Sequence, residues 1–257
     1  MTQSVSADGA GLRRLSDRED LLGWEAVGRL ELHDKGYCTG TLIAPDLVLT
    51  AAHCVYGADH QVLQADHVTF RAGLRDGVAI AERRGLQIVV DPAYDPQSSQ
   101  SSDKIRHDVA LIRLKAPIQS GQANAFVLHS GRDYGSEISV TSYGRGRDDA
   151  PSRQRDCTLL GERHDILMID CNVTFGSSGA PIFSQVGSRG RILSLVSAGG
   201  RYDGQAVAFG MKLQDRVAEL KTLLRRNPVA SPDRRIKRIR VGGGGSASGA
   251  KFVRPGG

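Results

Sequence analysis

A serine set between glycines stands at position 178, within the octet Thr-Phe-Gly-Ser-Ser-Gly-Ala-Pro of residues 174–181. Small neighbours let a substrate carbonyl approach the serine hydroxyl, and glycines let backbone N–H groups turn toward a developing oxyanion. Such a segment also occurs as a plain turn between two strands. The octet therefore predicts a nucleophilic Ser178 only if a base and an acid accompany it.

Both partners occur upstream in distinctive settings. A serine hydroxyl is a weak nucleophile near neutral pH, so it needs a histidine as base, and the histidine needs a carboxylate to orient it. His53 stands in Leu-Thr-Ala-Ala-His-Cys, and Asp108 stands in His-Asp-Val-Ala-Leu-Ile-Arg-Leu. The sequence thus contains the three residue types of a catalytic triad.

The order of these residues along the chain is histidine, aspartate, serine, and order separates the classes of serine hydrolase. An α/β-hydrolase has its histidine after the serine, whereas the last histidine here is His164. Residues 176–180 also lack the final glycine of a G-x-S-x-G motif. A subtilisin order begins with an aspartate, and no upstream aspartate lies in a matching setting. An α/β-hydrolase with a Ser178 nucleophile is therefore excluded.

Four separated segments resemble the chymotrypsin/trypsin-like serine proteases, and most of all the bacterial branch that includes the glutamyl endopeptidases. They are Cys-Thr-Gly-Thr-Leu-Ile at 38–43, Ala-Ala-His-Cys at 51–54, Asp-Val-Ala-Leu at 108–111 and Gly-Ser-Ser-Gly-Ala-Pro at 176–181. The resemblance covers about residues 24 to 224. It implies an all-β fold of two six-stranded antiparallel β-barrels with a C-terminal helix, packed on the second barrel. It also implies a serine endopeptidase that works through an acyl-enzyme intermediate.

The resemblance assigns a role to each matching residue. Ser178 is the nucleophile, His53 the base and Asp108 the residue that orients the histidine. The backbone N–H groups of Gly176 and Ser178 form the oxyanion hole, and Ser197 supports the buried aspartate. This chemistry needs no cofactor, and no metal site is expected.

The resemblance also locates the pocket for the side chain that precedes the scissile bond, near Asn172, Val173, Ala198 and Gly199. Trypsin-like enzymes that accept Arg or Lys have an aspartate where this chain has Asn172. Glutamyl endopeptidases have a threonine and a histidine where it has Val173 and Val196. The chain thus lacks the residues that select Arg or Lys and those that select Glu. We therefore expect a neutral side chain of small to medium size before the scissile bond.

Activation is expected to differ from that of trypsin-type zymogens. Those mature before an Ile-Val-Gly-Gly-like sequence, whose new amine pairs with an aspartate just before the nucleophile. This chain has no such tetrapeptide, and the residue before Ser178 is Ser177. We expect activation without that ion pair, although a leader could still be trimmed at Arg14 or Arg18.

The cysteines indicate the cellular compartment in which the protein works. There are four of them: Cys38, Cys54, Cys157 and Cys171. Two pairs at short separation suit two disulfides in an oxidising compartment, and the absence of a C-x-x-C pair argues against zinc. The family bridge implies Cys38 with Cys54, and Cys157 with Cys171 would brace the approach to Ser178. Residues 1–6 show no signal-peptide pattern, so either the protein is intracellular or its signal is absent from this chain. The cysteines favour the second alternative, and we expect a secreted or periplasmic protein.

Short apolar and β-branched segments separated by turns begin near residue 24 and predict many short strands. Helical spacing of apolar residues over 213–224 predicts the terminal helix. The expected divisions are a polar leader (1–22), a first barrel (23–118), a second barrel with the terminal helix (119–226) and a disordered basic Gly-rich tail (227–257). Within the barrels, residues 93–107 are expected to be flexible, and 145–156 to form an exposed basic loop open to self-cleavage.

The net charge of +6 belongs to the tail, since nine Arg or Lys and one Asp follow from Arg225 onward. No apolar run reaches the roughly 18 residues of a membrane span. Protein or peptide substrates are the expected partners, and a monomer is the expected state. The alternative is a non-catalytic binding protein on the same fold, whose basic tail contacts anionic surfaces or nucleic acid. All three triad residues are present, which favours the enzyme, and nothing after residue 224 can fold into a separate peptide-binding module.

Overall fold

The computed structural model of the chain describes residues 11–33, 35–131, 135, 137–184 and 189–229. Most of the predicted basic tail, from residue 230 onward, lies outside them. In chain order the elements are β1 (Leu12–Arg14), α1 (Arg18–Leu21), β2 (Val27–Leu32), β3 (Gly36–Ala44), β4 (Leu47–Thr50), β5 (Val68–Ala72), β6 (Ala81–Val90), α2 (Ser102–His107), β7 (Ala110–Leu114), β8 (Glu137–Gly144), β9 (Arg147–Arg163), β10 (Ile166–Ile169), β11 (Pro181–Ser184), β12 (Arg191–Leu195), β13 (Ala198–Tyr202), β14 (Gln205–Met211) and α3 (Gln214–Arg226).

The first β unit is a closed antiparallel barrel of six strands in the order β2-β3-β4-β7-β6-β5. Buried and partly exposed residues alternate along β5, so one face of that strand points inward, whereas all four residues of β4 are buried. Leu30, Leu49, Phe70 and Leu111 are fully buried in this barrel. Closure pairs every strand on both sides, which leaves no exposed edge within this unit.

The second β unit is a curled sheet of eight strands rather than the predicted six-stranded barrel. Its path is β12-β11-β8-β9-β10-β14-β13, and β1 pairs with β9 off this path. The all-β class, the two units and the C-terminal helix are confirmed. The extra strands are β1 and β13, whose sequences Leu-Arg-Arg and Ala-Gly-Gly-Arg-Tyr lack the alternating apolar residues that predict a strand.

The terminal helix α3 packs on the first barrel, so its expected place on the second barrel was wrong. Its buried residues Val217, Leu220 and Leu224 share one apolar core with Ile112 and Leu114 of β7. Close approaches of α3 to both β6 and β7 fix it at that barrel. Residues 214–226 therefore pack against the unit that carries His53.

Two polar stretches that were expected to be irregular contain regular structure. Residues 93–107 include α2, and residues 145–156 enter β9. Arg153 in β9 is buried, with its guanidinium carbon 3.8 Å from the centre of the Trp24 ring, and burial lowers its pKa to about 10. The expectation of an exposed basic loop failed because residues of the N-terminal segment cover this part of β9.

That N-terminal segment, residues 11–22 of the predicted leader, is part of the folded body. Strand β1 pairs with β9, and Leu15 and Leu21 are buried. Arg14 bridges Asp76 of the first unit at 2.6 Å and Asp149 of the second at 2.9 Å. Within the described residues, no helix combines the length and the apolar character that a membrane crossing requires.

Candidate active site

His53 lies in a 3₁₀ helix, Ala52–Val55, directly after β4. Its backbone N–H donates to Asp108 Oδ1 over 2.8 Å, and its Nδ1 lies 2.7 Å from Asp108 Oδ2. A carboxylate can only accept, so the proton of this hydrogen bond lies on Nδ1, and in a neutral ring Nε2 is then the acceptor nitrogen. The imidazole is about one-third exposed, at 34%. Asp108 therefore orients the ring from its Nδ1 side, and part of the ring remains exposed to solvent.

Asp108 directly follows α2 and is 3% exposed. The helix begins after Ser101, whose hydroxyl accepts from the Lys104 N–H over 3.1 Å. Ser197 Oγ, from the second β unit, donates to Asp108 Oδ2 over 2.5 Å. With these contacts both carboxylate oxygens are satisfied in a buried position, and a hydrogen bond across the two units holds the aspartate in place.

Ser178 lies on the turn before β11, directly beside the segment that leads to His53. Its carbonyl accepts from the Thr39 N–H over 2.9 Å. The next residue, Gly179, has a φ of +76°, and a Cβ there would lie 2.2 Å from Thr50 Oγ1. Only glycine fits such close approach, so the backbone of this turn packs against the end of β4. Within the described residues, no hydrogen bond joins Ser178 Oγ to the His53 ring.

Gly176 is held in a conformation that suits glycine alone. Its φ is +88°, and a Cβ would lie 2.2 Å from the Tyr37 ring and 2.6 Å from the Tyr143 carbonyl. Thr39 Oγ1 donates to the Gly176 carbonyl over 2.8 Å and accepts from the Tyr143 N–H over 3.0 Å. In the part of the chain that the structure describes, neither the Gly176 nor the Ser178 N–H donates to a protein acceptor. Both donors are therefore available to a ligand oxygen.

Thr39 is one of the residues at the site that the sequence motifs did not predict. It is fully buried, and it fixes Gly176 through its side chain and Ser178 through its backbone. Its position directly after Cys38 could have suggested a link to the site. A buried threonine in a strand, however, looks like any β-former in the sequence.

A cleft of about 510 Å³ lies in front of His53. It is bordered by Tyr56 and Tyr94 on the first unit and by Ala198 and Gly199 on the second. Of the four predicted pocket residues, these last two therefore border the cleft, and Asn172 and Val173 do not. Val173 still faces the pocket wall, because a Cβ on Gly199 would lie 3.6 Å from Val173 Cγ2.

Lys35 is a second residue without a signal in the sequence. Its Nζ donates to the carbonyl of His53 over 2.7 Å and also to the carbonyl of Tyr56. Burial lowers the pKa of this ammonium group, while the nearby Asp108 opposes that effect. Lys35 therefore fastens both ends of the segment that carries the histidine and adds a positive charge beside the cleft.

The structure contains both expected disulfides, Cys38–Cys54 and Cys157–Cys171, with Cα–Cα distances of 6.3 and 5.1 Å. Among the described residues, one His/Cys/Asp/Glu group has ligand atoms close enough for a metal ion: Cys38, His53 and Cys54. Its two sulfur atoms are joined to each other, so they offer no thiolate. This group therefore does not form a metal centre.

The family model described as Trypsin matches residues 22–206, well over half of the chain. The chain belongs to the trypsin family. This trypsin-family chain is 29% identical over 156 residues to trypsin Blo t 3 of Blomia tropicalis, a match that covers 57% of the chain and 53% of that protein. It is 27% identical over 162 residues to brachyurin of Leptuca pugilator, covering 60% of the chain and 64% of that protein. The chain thus spans half to two thirds of these curated relatives.

Solved structures share the fold of this trypsin-family chain. A Glu endopeptidase in complex with MPD superposes with a TM-score of 0.69 at 17% identity, over 86% of this chain and 99% of that one. The thermostable serine protease AL20 from an extremophilic microorganism superposes with a TM-score of 0.64 at 19% identity, over 79% of this chain and 98% of that one. At these identities the likeness shows the chymotrypsin-like fold.

Proposed function

We propose that this chain is a serine endopeptidase in which Ser178 is the nucleophile, His53 the base and Asp108 its orienting acid. The observation that carries the proposal is the hydrogen-bond chain from Ser197 through Asp108 to His53. It ends on a partly exposed imidazole at a cleft. Ser178 precedes Gly179, which packs against Thr50 and Ala51 just before His53. A buried carboxylate that accepts hydrogen bonds from both the backbone and the ring of a histidine orients that histidine to act as a general base.

In the proposed reaction, His53 Nε2 takes the proton of Ser178 Oγ as that oxygen bonds to the substrate carbonyl carbon. The C=O electron pair moves to oxygen and gives a tetrahedral oxyanion. The bond to the leaving nitrogen then breaks, and His53 gives its proton to the departing amine. Water, activated by the same histidine, hydrolyses the acyl-enzyme and restores Ser178.

The oxyanion is proposed to bind the N–H groups of Gly176 and Ser178. Support comes from their lack of protein acceptors among the described residues and from the positive φ of Gly176. Donors that are fixed before the reaction stabilise the transition state without a reorganisation cost. Thr39 supplies that fixation, since it holds the residues on both sides of the hole.

For specificity we propose a neutral side chain of small to medium size before the scissile bond. Val173 and Gly199 face each other in the proposed pocket, and Asn172 carries no charge. The carbonyl of Asn172 also accepts from Arg147, and its N–H donates to Gln154. A peptide-library cleavage profile dominated by Arg, Lys or Glu before the scissile bond would contradict this proposal.

The two disulfides support a secreted or periplasmic location, since such bridges persist in oxidising compartments. Protein or peptide substrates and a monomeric state complete the proposal. A mass measurement on the purified, oxidised chain tests the monomer.

A second candidate function, the non-catalytic binding protein, is favoured by one observation. Ser178 Oγ makes no hydrogen bond to the His53 ring within the described residues. Catalytic hydrogen bonds are often loose in unliganded enzymes and tighten when substrate binds, so this observation does not remove the enzyme proposal. The binding protein would show salt-sensitive binding to heparin without peptide hydrolysis.

The test is hydrolysis of a denatured protein substrate by the oxidised chain and by two serine variants. We expect Ser178→Ala to lose roughly 10⁴-fold or more of kcat/KM, because it lacks the nucleophile. Ser99→Ala, which changes an exposed serine in the loop before α2, should keep the activity of the unchanged chain. Hydrolysis that survives in Ser178→Ala would overturn the assignment.

A further inference from the structure

A guanidinium group lies behind the turn that carries Ser178, and the proposed reaction does not use it. Arg147 Nη1 donates to the carbonyl of Ser142 over 3.3 Å and to its hydroxyl over 3.1 Å. Arg147 Nη2 donates to the Asn172 carbonyl over 3.4 Å and to Ser177 Oγ over 3.5 Å. All four acceptors are neutral oxygens, and burial lowers the pKa of the guanidinium.

The segment that Arg147 reaches is residues 172–178, which we term the nucleophile loop. Arg147 contacts it near both ends, at Asn172 and at Ser177. Ser177 is fully buried, and its hydroxyl lies 3.1 Å from that of Ser142 in β8. Glycine at position 144 leaves room for the guanidinium group, because a Cβ there would lie 2.7 Å from Arg147 Cζ. One side chain therefore cross-links β8 and the two ends of the nucleophile loop.

Among the described residues, Arg147 has no carboxylate within ion-pair distance. Arg147 is partly buried, and partial burial of a cation without a carboxylate partner costs free energy, so packing alone does not account for this residue. Departures from such rules are characteristic of functional sites. The fold nevertheless places the cation beside the loop that holds the proposed oxyanion donors.

We infer that Arg147 is a positioning residue, which holds the nucleophile loop in the conformation that presents the Gly176 and Ser178 N–H groups to the substrate. This inference rests on the proposed function. Because the loop has a positive φ at Gly176 and two N–H groups without acceptors, it needs an external restraint to stay in place. The Arg147 guanidinium supplies that restraint, because it donates hydrogen bonds to three residues. Its positive charge also stabilises a negative charge on a nearby oxyanion.

The restraint comes from within the folded body and does not depend on a newly cut N-terminus. The turn that carries Arg147 is held by the N-terminal segment, since Arg14 binds Asp149 and the Leu15 N–H donates to the Pro151 carbonyl over 2.9 Å. Ser177, in place of an aspartate, accepts from the Arg147 fork. None of the four hydrogen bonds that Arg147 makes to β8 and the nucleophile loop involves an N-terminal amine.

The experiment compares Arg147→Met, Arg147→Lys and the control Arg163→Met in the full oxidised chain. Arg163 is exposed at the far end of the same strand β9. Two quantities are measured: kcat and KM on one peptide ester, and amide hydrogen exchange of a peptide that spans residues 172–178. The exchange rate reports the loop even if the chain hydrolyses nothing.

For Arg147→Met we expect kcat to fall about 10- to 100-fold with KM changed less than about threefold, because oxyanion donors act in the transition state. The amide hydrogen exchange rate of residues 172–178 should rise at least about tenfold, because loss of the restraint lets the loop open locally more often. Arg147→Lys should recover part of both, and Arg163→Met should change neither.

Unchanged loop exchange in Arg147→Met, or an unchanged kcat in an active chain, would overturn the inference. So would a loss confined to KM, or no recovery with lysine. If Arg147→Met fails to fold, Ser142→Ala with Ser177→Ala removes the hydroxyl acceptors, and unchanged exchange there would also overturn it. An unchanged chain without Ser178-dependent hydrolysis would instead refute the proposed function, while the exchange result would still decide the role of Arg147.

Discussion

Asp108 is withdrawn from water, yet each of its oxygens accepts a hydrogen bond. Oδ1 accepts from the His53 backbone, and Oδ2 accepts from the His53 ring and from Ser197. An unsatisfied buried carboxylate costs several kcal/mol, so these donors decide both the position of the acid and its ability to orient the base. The Ser197 hydroxyl is the donor that reaches across the two units.

Replacement of Ser197 by alanine tests this contact. Hydrogen bonds to a charged group contribute about 1.5–3 kcal/mol, so Ser197→Ala should lower kcat/KM by roughly 10- to 150-fold. Ser194→Ala is the matched control, because Ser194 is a buried serine in β12 whose hydroxyl donates to the Met211 carbonyl over 2.7 Å. The control should lose stability and keep kcat/KM. Equal kcat/KM losses in the two variants would contradict the role given to Ser197.

At the residue scale, the motifs predicted the histidine–aspartate pair and its serine support, because each stands in a short segment with a distinctive composition. Thr39, Lys35 and Arg147 could not be predicted in this way. The side-chain hydrogen bonds from Lys35 to His53, from Arg147 to Asn172 and from Thr39 to Gly176 join positions 18, 25 and 137 residues apart. The Thr39 contact depends on how the two units pack, and the Lys35 and Arg147 contacts depend on how strands and loops fold within one unit, so no local sequence pattern predicts them.

The turn around Ser178 takes its shape from the element that it packs against, the end of β4. Gly179 touches Thr50 and the Thr39 carbonyl so closely that a Cβ would overlap both, at 2.2 and 2.4 Å. The octet therefore contains glycine for two reasons, a positive φ and the close approach of another strand.

Gly179→Ala separates these two reasons when it is compared with Gly204→Ala. Both positions have a φ near +77°, but nothing lies within 4 Å of a Cβ at Gly204. Gly204→Ala should cost about 1–2 kcal/mol of unfolding free energy and leave kcat/KM unchanged. Gly179→Ala should abolish measurable activity or prevent folding, because the overlap displaces Ser178 from the His53 side. Equal behaviour of the two variants in urea unfolding and hydrolysis would refute the packing argument.

The two disulfides offer a second comparison at this scale, since they close loops of nearly equal length, with separations of 16 and 14 residues. Loop entropy predicts a loss of about 3 kcal/mol for removal of either one. Their neighbours differ: Cys54 follows His53, and Cys171 precedes Asn172. We expect Cys38→Ser with Cys54→Ser to lower kcat, and Cys157→Ser with Cys171→Ser to act mainly on KM. Steady-state kinetics on the folded fraction measures both, and the reverse pattern would be a contradiction.

Most strands were predictable because their buried residues alternate or form short apolar runs, as in Leu47–Thr50 and Val68–Ala72. The strands β1 and β13 were not. They gain their hydrogen bonds from a neighbour, β9 or β14, rather than from apolar side chains of their own. The resemblance correctly implied closure of the first barrel, but closure of the second unit was wrong, because strand register between distant segments decides whether a sheet closes.

The whole molecule is held together where the two units meet. Tyr143 of β8 is fully buried, and its hydroxyl donates to the Leu74 carbonyl of the first unit over 3.0 Å. The N-terminal segment adds the Arg14 bridge, and α3, which follows the second unit along the chain, packs on the first barrel. Because the cleft lies between the units, these contacts also fix the relative positions of His53 and Ser178.

Alkaline pH tests the Tyr143 contact. Burial raises the pKa of Tyr143 above the value of about 10 that tyrosine has in an unfolded chain. The unfolded chain therefore loses this proton first, so the contribution of Tyr143 to stability is complete below pH 10 and is lost as pH rises further. Burial also raises the pKa of Tyr94, so Tyr94 contributes to the loss of stability at alkaline pH in the same way.

Tyr143→Phe should lower the unfolding free energy by about 1 kcal/mol at pH 8, through the lost hydrogen bond, and reduce the further loss between pH 8 and 11. Tyr202→Phe, at an exposed tyrosine, should change neither value. Urea unfolding of the oxidised chains at the two pH values measures both effects. An alkaline loss in Tyr143→Phe as steep as in the unchanged chain would count against the burial argument.

The assembled triad is the central claim, and covalent labelling with a fluorophosphonate tests it most directly. The oxidised chain is treated with the probe and digested, and the modified residue is identified by mass spectrometry. We predict one adduct, on Ser178, that is lost in Ser178→Ala and in His53→Ala and retained in His164→Ala, a control at an exposed turn histidine. An adduct on another residue, or the absence of any adduct on the folded, oxidised chain, would contradict the account.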